Sequence, residues 1–189
     1  MVDYIVIKIV GLAWTILAVF LAVIGGSKSS RNEKFSGNLM MASLCLFPVA
    51  ITFAERSASG GDGVFLWGFP LTGETGFVLV GVGLAVHLLG ILTLKKQWSS
   101  SVTLSSEPKL ITHGVYRFIR NPIYAGILLT LVGFGLTLAN WISFLMLVLP
   151  NACSFGYRIF VEENFLKVNF GQDYELYCRK TKRIVPFVF

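Results

Sequence analysis

Apolar residues in this chain gather into long runs separated by short polar stretches. Five runs stand out: Tyr4 to Ile24, about Gly37 to Phe53, Gly76 to Leu94, Ile123 to Leu138 and Trp141 to about Tyr157. A helix needs about 20 apolar residues to cross a bilayer core, and each run reaches or approaches that length. The pattern predicts an all-α fold, an integral membrane bundle of five transmembrane helices, with residues 1–189 as one domain. Pro48 predicts a kink in the second run, and Pro150 lies inside the fifth. Only Ala139 and Asn140 separate the last two runs, which must therefore form a tight antiparallel hairpin. The first run is too long for a cleavable signal and lacks the basic start and small-residue cleavage pattern of one.

Beyond the fifth run the chain keeps a helical pattern. Phe160, Val161, Phe165 and Val168 predict a helix from Ile159 to Phe170 with one apolar face. Gly171 then stops it, and Asp173 caps a second short helix through Arg179. The final stretch from Ile184 to Phe189 is apolar again and is expected to pack back on the bundle.

Loop charges orient the bundle. Lys28, Arg31 and Lys34 fill the first loop, Lys95, Lys96, Lys109, Arg117 and Arg120 the third. Arg158, Lys167, Arg179, Lys180, Lys182 and Arg183 follow the fifth run, whereas the second loop carries Glu55, Asp62 and Glu74 against Arg56 alone. The positive-inside rule then puts the N-terminus outside and a helical C-terminal tail in the cytoplasm. Phe65 to Phe69, with Trp67, reads as an interfacial anchor in the outer loop.

Composition agrees with a membrane protein: 54% of the 189 residues are hydrophobic and 14% charged, which excludes disorder. The net charge of +6 sits in the loops and reads as membrane orientation and attraction to anionic lipid. No nucleic-acid-binding motif accompanies it. Cys45, Cys153 and Cys178 show neither metal spacing nor a Cys-x-x-Cys pair. The first two read as small buried hydrophobes and the third as a reduced cytoplasmic thiol. His87 and His113 are the only histidines, so no protein metal site is expected. His87, inside the third run, is expected to hydrogen-bond to a neighbouring helix. Gly81-Val82-Gly83 lies mid-span with no strand before it and reads as close helix packing, not a dinucleotide fingerprint.

Two polar islands interrupt the apolar pattern on the side assigned to the cytoplasm. One runs from Lys109 to Tyr124; the other is Arg158 with Glu162 and Glu163. Structure alone accounts for part of this. Asn121 can cap a helix, Pro122 can open it without losing a hydrogen bond, and Arg158 with Glu162, four apart, can form an ion pair worth less than about 1 kcal/mol if exposed. An arginine at a bilayer edge beside a second polar cluster is nonetheless a functional candidate.

Taken together these residues resemble the isoprenylcysteine carboxyl methyltransferase family, to which phospholipid N-methyltransferases are related. The matches are Leu110-Ile111, Gly114-Val115-Tyr116, Arg120-Asn121-Pro122-Ile123-Tyr124, the hairpin, Arg158 with Glu162-Glu163, and Gly171 through Tyr174 and Tyr177 before Pro186, with Trp98 upstream. They cover about the C-terminal half. Asn121 stands where the family usually has His; it can still donate and accept hydrogen bonds but cannot titrate near neutrality. The resemblance implies a S-adenosyl-L-methionine site built from residues 97–124 and 158–189. It carries cofactor contacts to Lys109, Leu110, Ile111, Tyr116, Asn121, Pro122, Tyr124 and Glu162. Arg158 is then the substrate-orienting arginine, with Glu163 beside it in the catalytic cluster. The implied acceptor is lipid-like and drawn from the bilayer, most simply a carboxylate such as that of isoprenylcysteine. A phospholipid amine is the alternative acceptor; Glu162 and Glu163 would then remove its proton. An NADPH-dependent sterol-type reductase, using Arg179 to Phe187, and a non-enzymatic membrane module are further alternatives.

Overall fold

The computed structural model describes residues 35, 37–39, 42, 43, 45–58, 72–94 and 109–184. The first apolar run, the aromatic segment 65–69, Trp98 and Pro186 lie outside these residues, so the readings attached to them do too. Among the described residues the regular elements are helices: α1 (Leu46–Ala58), α2 (Thr72–Leu94), a 3-10 turn (Gly114–Arg117), α3 (Pro122–Thr137) and α4 (Trp141–Lys180). One isolated parallel bridge joins Ile119 to Lys182.

Cys45 forms a turn just before α1, and Pro48 stands in the first turn of that helix, where its missing N–H breaks no helical bond. α1 also runs on past Phe53 to Ala58. Its inner face, Phe47, Ala50, Ile51 and Ala54, forms the core with Leu131 of α3, Leu138 just past the end of α3, and Leu147 and Phe155 of α4. Polar groups inside this apolar bundle are paired across helices: Ser43 Oγ donates to Asn151 Oδ1 at 2.9 Å and Ser143 Oγ to the Ala50 carbonyl at 2.8 Å.

α2 and α3 approach closely through small residues. A Cβ at Gly126 would stand 2.5 Å from the His87 nitrogen and 2.6 Å from the Gly83 oxygen, and one at Gly133 would stand 2.6 Å from the Gly76 oxygen. Backbones this close leave no room for a side chain, the usual means by which helices associate in lipid. Gly83 therefore fills the packing role read from the sequence, whereas Gly81 faces open space. His87 Nδ1 lies 3.3 Å from the Ile123 carbonyl, the inter-helix hydrogen bond expected of it. The opposite side of α2 exposes Phe77, Val78, Leu88, Leu89 and Leu92, an apolar surface suited to lipid.

The hairpin between α3 and α4 is as tight as expected. Ala139 turns the chain with a φ of 51°, and Asn140 caps α4 by accepting from Ser143 N at 3.0 Å. Among the described residues two helices, Gly73–Leu94 and Trp141–Lys180, are long and apolar enough to cross a membrane, and Pro122–Thr137 is a shorter apolar helix.

The fifth run departs most from expectation. α4 does not end near Tyr157: helical backbone runs from Trp141 through the expected tail helix to Phe170, about 45 Å. Gly171, with φ 50° and ψ −123°, then breaks the helix where the sequence placed a stop, and a second short helix continues to Lys180. Of the apolar residues expected on this part, Phe160 and Val168 are 59% and 85% exposed, whereas Val161 and Phe165 are half-buried. The buried positions here belong to Arg158, Ile159 and Glu163, because polar partners wait there on α3 and the loop before it. Cys45 and Cys153 are exposed too, not buried as expected. Thiols are apolar enough to face lipid, so an apolar run alone does not reveal which side a cysteine takes.

Candidate active site

Pro122 opens α3 in its first turn, where a missing N–H costs nothing. That start sets Tyr124 one turn into the helix, against Phe155 of α4 with ring centroids 5.6 Å apart. On α4, Arg158 and Glu162 stand one turn apart on the same side. Arg158 Nε donates to Glu162 Oε1 at 2.8 Å, and the Tyr124 hydroxyl donates to the same oxygen at 2.6 Å. Arg158 is 6% exposed, while a quarter of the Glu162 side chain remains open. The pair is therefore not a solvated surface ion pair. It is a half-open carboxylate flanked by a buried guanidinium and an aromatic hydroxyl.

Glu163 follows Glu162 but points into a different network. Its Oε1 accepts from Arg120 Nε at 3.1 Å and its Oε2 from Arg183 Nε at 3.1 Å. Arg120 also donates through Nη1 to the carbonyls of Cys178, at 3.1 Å, and Thr181. The backbone repeats the connection: Arg120 N donates to the Lys182 carbonyl at 2.8 Å, and Asn121 N to the Arg183 carbonyl at 3.1 Å. The residues after α4 are thereby stitched to the loop before α3.

Asn121 occupies the N-cap position without capping: its side chain makes no cap bond, and Nδ2 donates to the Arg183 carbonyl at 3.2 Å. Tyr116, buried in the 3-10 turn, accepts through its carbonyl from the Tyr177 hydroxyl at 2.7 Å. Burial pushes the Tyr116 phenol well above its ordinary range, and Tyr177 and Glu162 push it the same way. It stays neutral at any physiological pH. Lys109 is exposed, and Leu110 and Ile111 are half-buried, in the extended stretch that runs into the turn. The side-chain cluster just described does not include them. Among the described residues no group of three or more His, Cys, Asp or Glu side chains is arranged for a metal ion.

Three residues outside the expected cofactor and catalytic set are central here: Arg120, Tyr177 and Arg183. Arg120 was visible within a recognised motif. The sequence placed the tail and this loop in one site, but not the pairing of Arg120 with Glu163 and the Cys178 and Thr181 carbonyls.

The family model described as Phospholipid methyltransferase matches residues 71–173. A probable protein-S-isoprenylcysteine O-methyltransferase of Oryza sativa subsp. japonica is 31% identical over 93% of this chain and 96% of its own length. The chain belongs to the isoprenylcysteine O-methyltransferase family. Membership makes it a methyltransferase. Protein-S-isoprenylcysteine O-methyltransferase A of Arabidopsis thaliana is 33% identical over 60% of this chain and 58% of its own length. The structure of the eukaryotic intramembrane Ras methyltransferase ICMT aligns at 20% identity with a TM-score of 0.46, covering 98% of this chain and 87% of that one. The match to the family model spans α2 through Arg158, Glu162 and Glu163, and ends at Asp173. Tyr177, Thr181 and Arg183, which close the network from behind, lie past it.

Proposed function

We propose that the protein transfers a methyl group from S-adenosyl-L-methionine to the carboxylate of an isoprenylcysteine-like amphiphile at the membrane surface. The observation that carries this reading is the meeting of Tyr124, Arg158 and Glu162 on one carboxylate oxygen, where α4 leaves its apolar stretch. The relatives named for isoprenylcysteine support the acceptor.

The residues fit such a donor. It brings an electrophilic methyl group on a sulfonium cation, with an amino-acid end. The half-open Glu162 carboxylate suits a cation or ammonium. Tyr116 and Tyr124 contribute aromatic surface, and Lys109, Leu110, Ile111, Asn121 and Pro122 complete the proposed set. Arg158 is assigned to the acceptor, whose carboxylate it can hold bidentately. An acceptor carboxylate is already ionised, so no base is required. Alignment and exclusion of water then account for most of the rate, and the burial of Arg158 suits both.

A phospholipid amine is the second reading, favoured by the description of the matching family model. It needs a base, yet Glu162 already accepts from two donors and Glu163 from two arginines. A buried arginine beside the acceptor also repels an ammonium group. Family membership sets aside the reductase and the non-enzymatic module.

We place this chemistry on the cytoplasmic side of a five-span bundle with an external N-terminus, on the strength of the loop charges. Titration of purified protein with S-adenosyl-L-methionine and S-adenosylhomocysteine, paired with methyl transfer into a prenylcysteine and into phosphatidylethanolamine, tests the proposal. Methylation of the amine lipid alone would transfer the assignment to the second reading. Tight NADPH binding without S-adenosyl-L-methionine binding would overturn both.

A further inference from the structure

Glu162 and Glu163 are adjacent in sequence, and successive helical residues point about 100° apart. One carboxylate therefore belongs to the Tyr124–Arg158 cluster, and the other turns towards the tail. Glu163 is 4% exposed, and its two oxygens accept from two arginines on two different segments. Arg120, its side chain 10% exposed, comes from the loop before α3; Arg183 comes from the residues after α4. A carboxylate buried this deeply without partners is costly, so the arginines and the glutamate hold one another in place.

We propose that Glu163 is a positioning residue that latches the segment 181–183 onto the loop before α3 through Arg120 and Arg183, and so keeps Tyr116 and Tyr124 in register with Glu162. This rests on the cofactor reading of the Tyr124–Glu162–Arg158 cluster. The mechanical path is short. Arg120 directly precedes Asn121 and Pro122, which start the helix carrying Tyr124. Tyr177, on the same tail, holds the backbone of Tyr116. Loosening the latch frees both aromatic residues together, without removing any group from the cluster itself.

Asn121 belongs to the same latch. Its backbone N–H and its side-chain Nδ2 donate to one carbonyl, that of Arg183, at 3.1 and 3.2 Å. This work needs a donor and no titrating group, and an amide supplies it.

The test compares wild type with Glu163→Gln, Arg120→Lys and the double variant by two independent readouts. The first is amide hydrogen exchange over 181–183, measured without cofactor. The second is the Kd for S-adenosylhomocysteine together with kcat and the KM for S-adenosyl-L-methionine. Apparent affinity falls by the fraction of molecules in the competent state. Exchange and Kd should therefore rise by a similar factor, about tenfold for Glu163→Gln, with the loss falling on Kd and KM rather than kcat. The double variant should add little to the larger single effect, because one latch is opened either way.

If Glu163→Gln is too unstable to purify, Arg183→Gln loosens the same latch from its rim, where Arg183 is 44% exposed. Unchanged exchange over 181–183 overturns the latch. A collapse of kcat with Kd unchanged overturns it too, and makes Glu163 a catalytic base. If wild type binds no S-adenosylhomocysteine, the cofactor reading fails, while the exchange readout still decides whether the latch exists.

Discussion

Tyr124 and Arg158, on different helices, donate to the same oxygen of Glu162, at 2.6 and 2.8 Å. A single acceptor atom thus records the relative position of α3 and α4 at the membrane edge. Movement of either helix breaks one of the bonds, so the cluster is sensitive to packing as well as to side-chain chemistry.

Glu162→Ala should weaken S-adenosyl-L-methionine binding by a factor of ten or more, since a hydrogen bond to a charged group contributes about 1.5–3 kcal/mol. Tyr124→Phe removes one neutral donor and should cost about 0.5–1.5 kcal/mol, a two- to tenfold loss. Calorimetric titration separates the two. Equal, wild-type-like affinities in both variants would remove Glu162 from the cofactor site.

Arg158→Lys keeps the charge but loses the planar fork that pairs with a carboxylate. Methyl transfer into a prenylcysteine acceptor should fall by about a hundredfold, as expected when a close charge-assisted contact is misplaced, with cofactor affinity nearly intact. A variant working at the wild-type rate would make Arg158 a structural partner of Glu162 and nothing more.

Gly126→Val forces a side chain into the α2–α3 contact, where a Cβ already meets His87 at 2.5 Å. Overpacking of this kind costs about 1–3 kcal/mol, so the melting temperature in detergent should drop by several degrees. Gly81→Val is the control: nothing lies within 4 Å of its Cβ position, and its melting temperature should match wild type. Equal behaviour of the two variants would contradict the glycine-mediated contact.

Single cysteines at positions 59 and 105, in a background free of other cysteines, should react with a membrane-impermeant reagent from opposite sides. The acidic second loop and the basic third loop motivate this expectation. Reaction of both from one side would rule out the five-span arrangement.

The sequence by itself determined the helical class, the extents of α2 and α3 to within a few residues, and the hairpin at Ala139-Asn140. Those features depend on local properties: continuous apolar runs, a proline at a helix start, and a link too short for anything but a reversal. It also pointed to Arg158 and Glu162 as one pair, because positions four apart share a helix face whatever the rest of the chain does. Only the tertiary structure decided what those groups meet. It brought Tyr124 to Glu162, turned Glu163 away towards Arg120 and Arg183, and returned the tail to the loop at Asn121. It decided equally that Phe160 and Val168 face outward while Val161 and Phe165 are half-buried. The physical reason is common to all of these. In a chain whose helices are apolar on nearly every side, hydrophobic pattern stops distinguishing lipid from protein neighbours. The choice of buried face then falls to backbone approach at glycines and to hydrogen bonds and ion pairs between segments far apart in sequence.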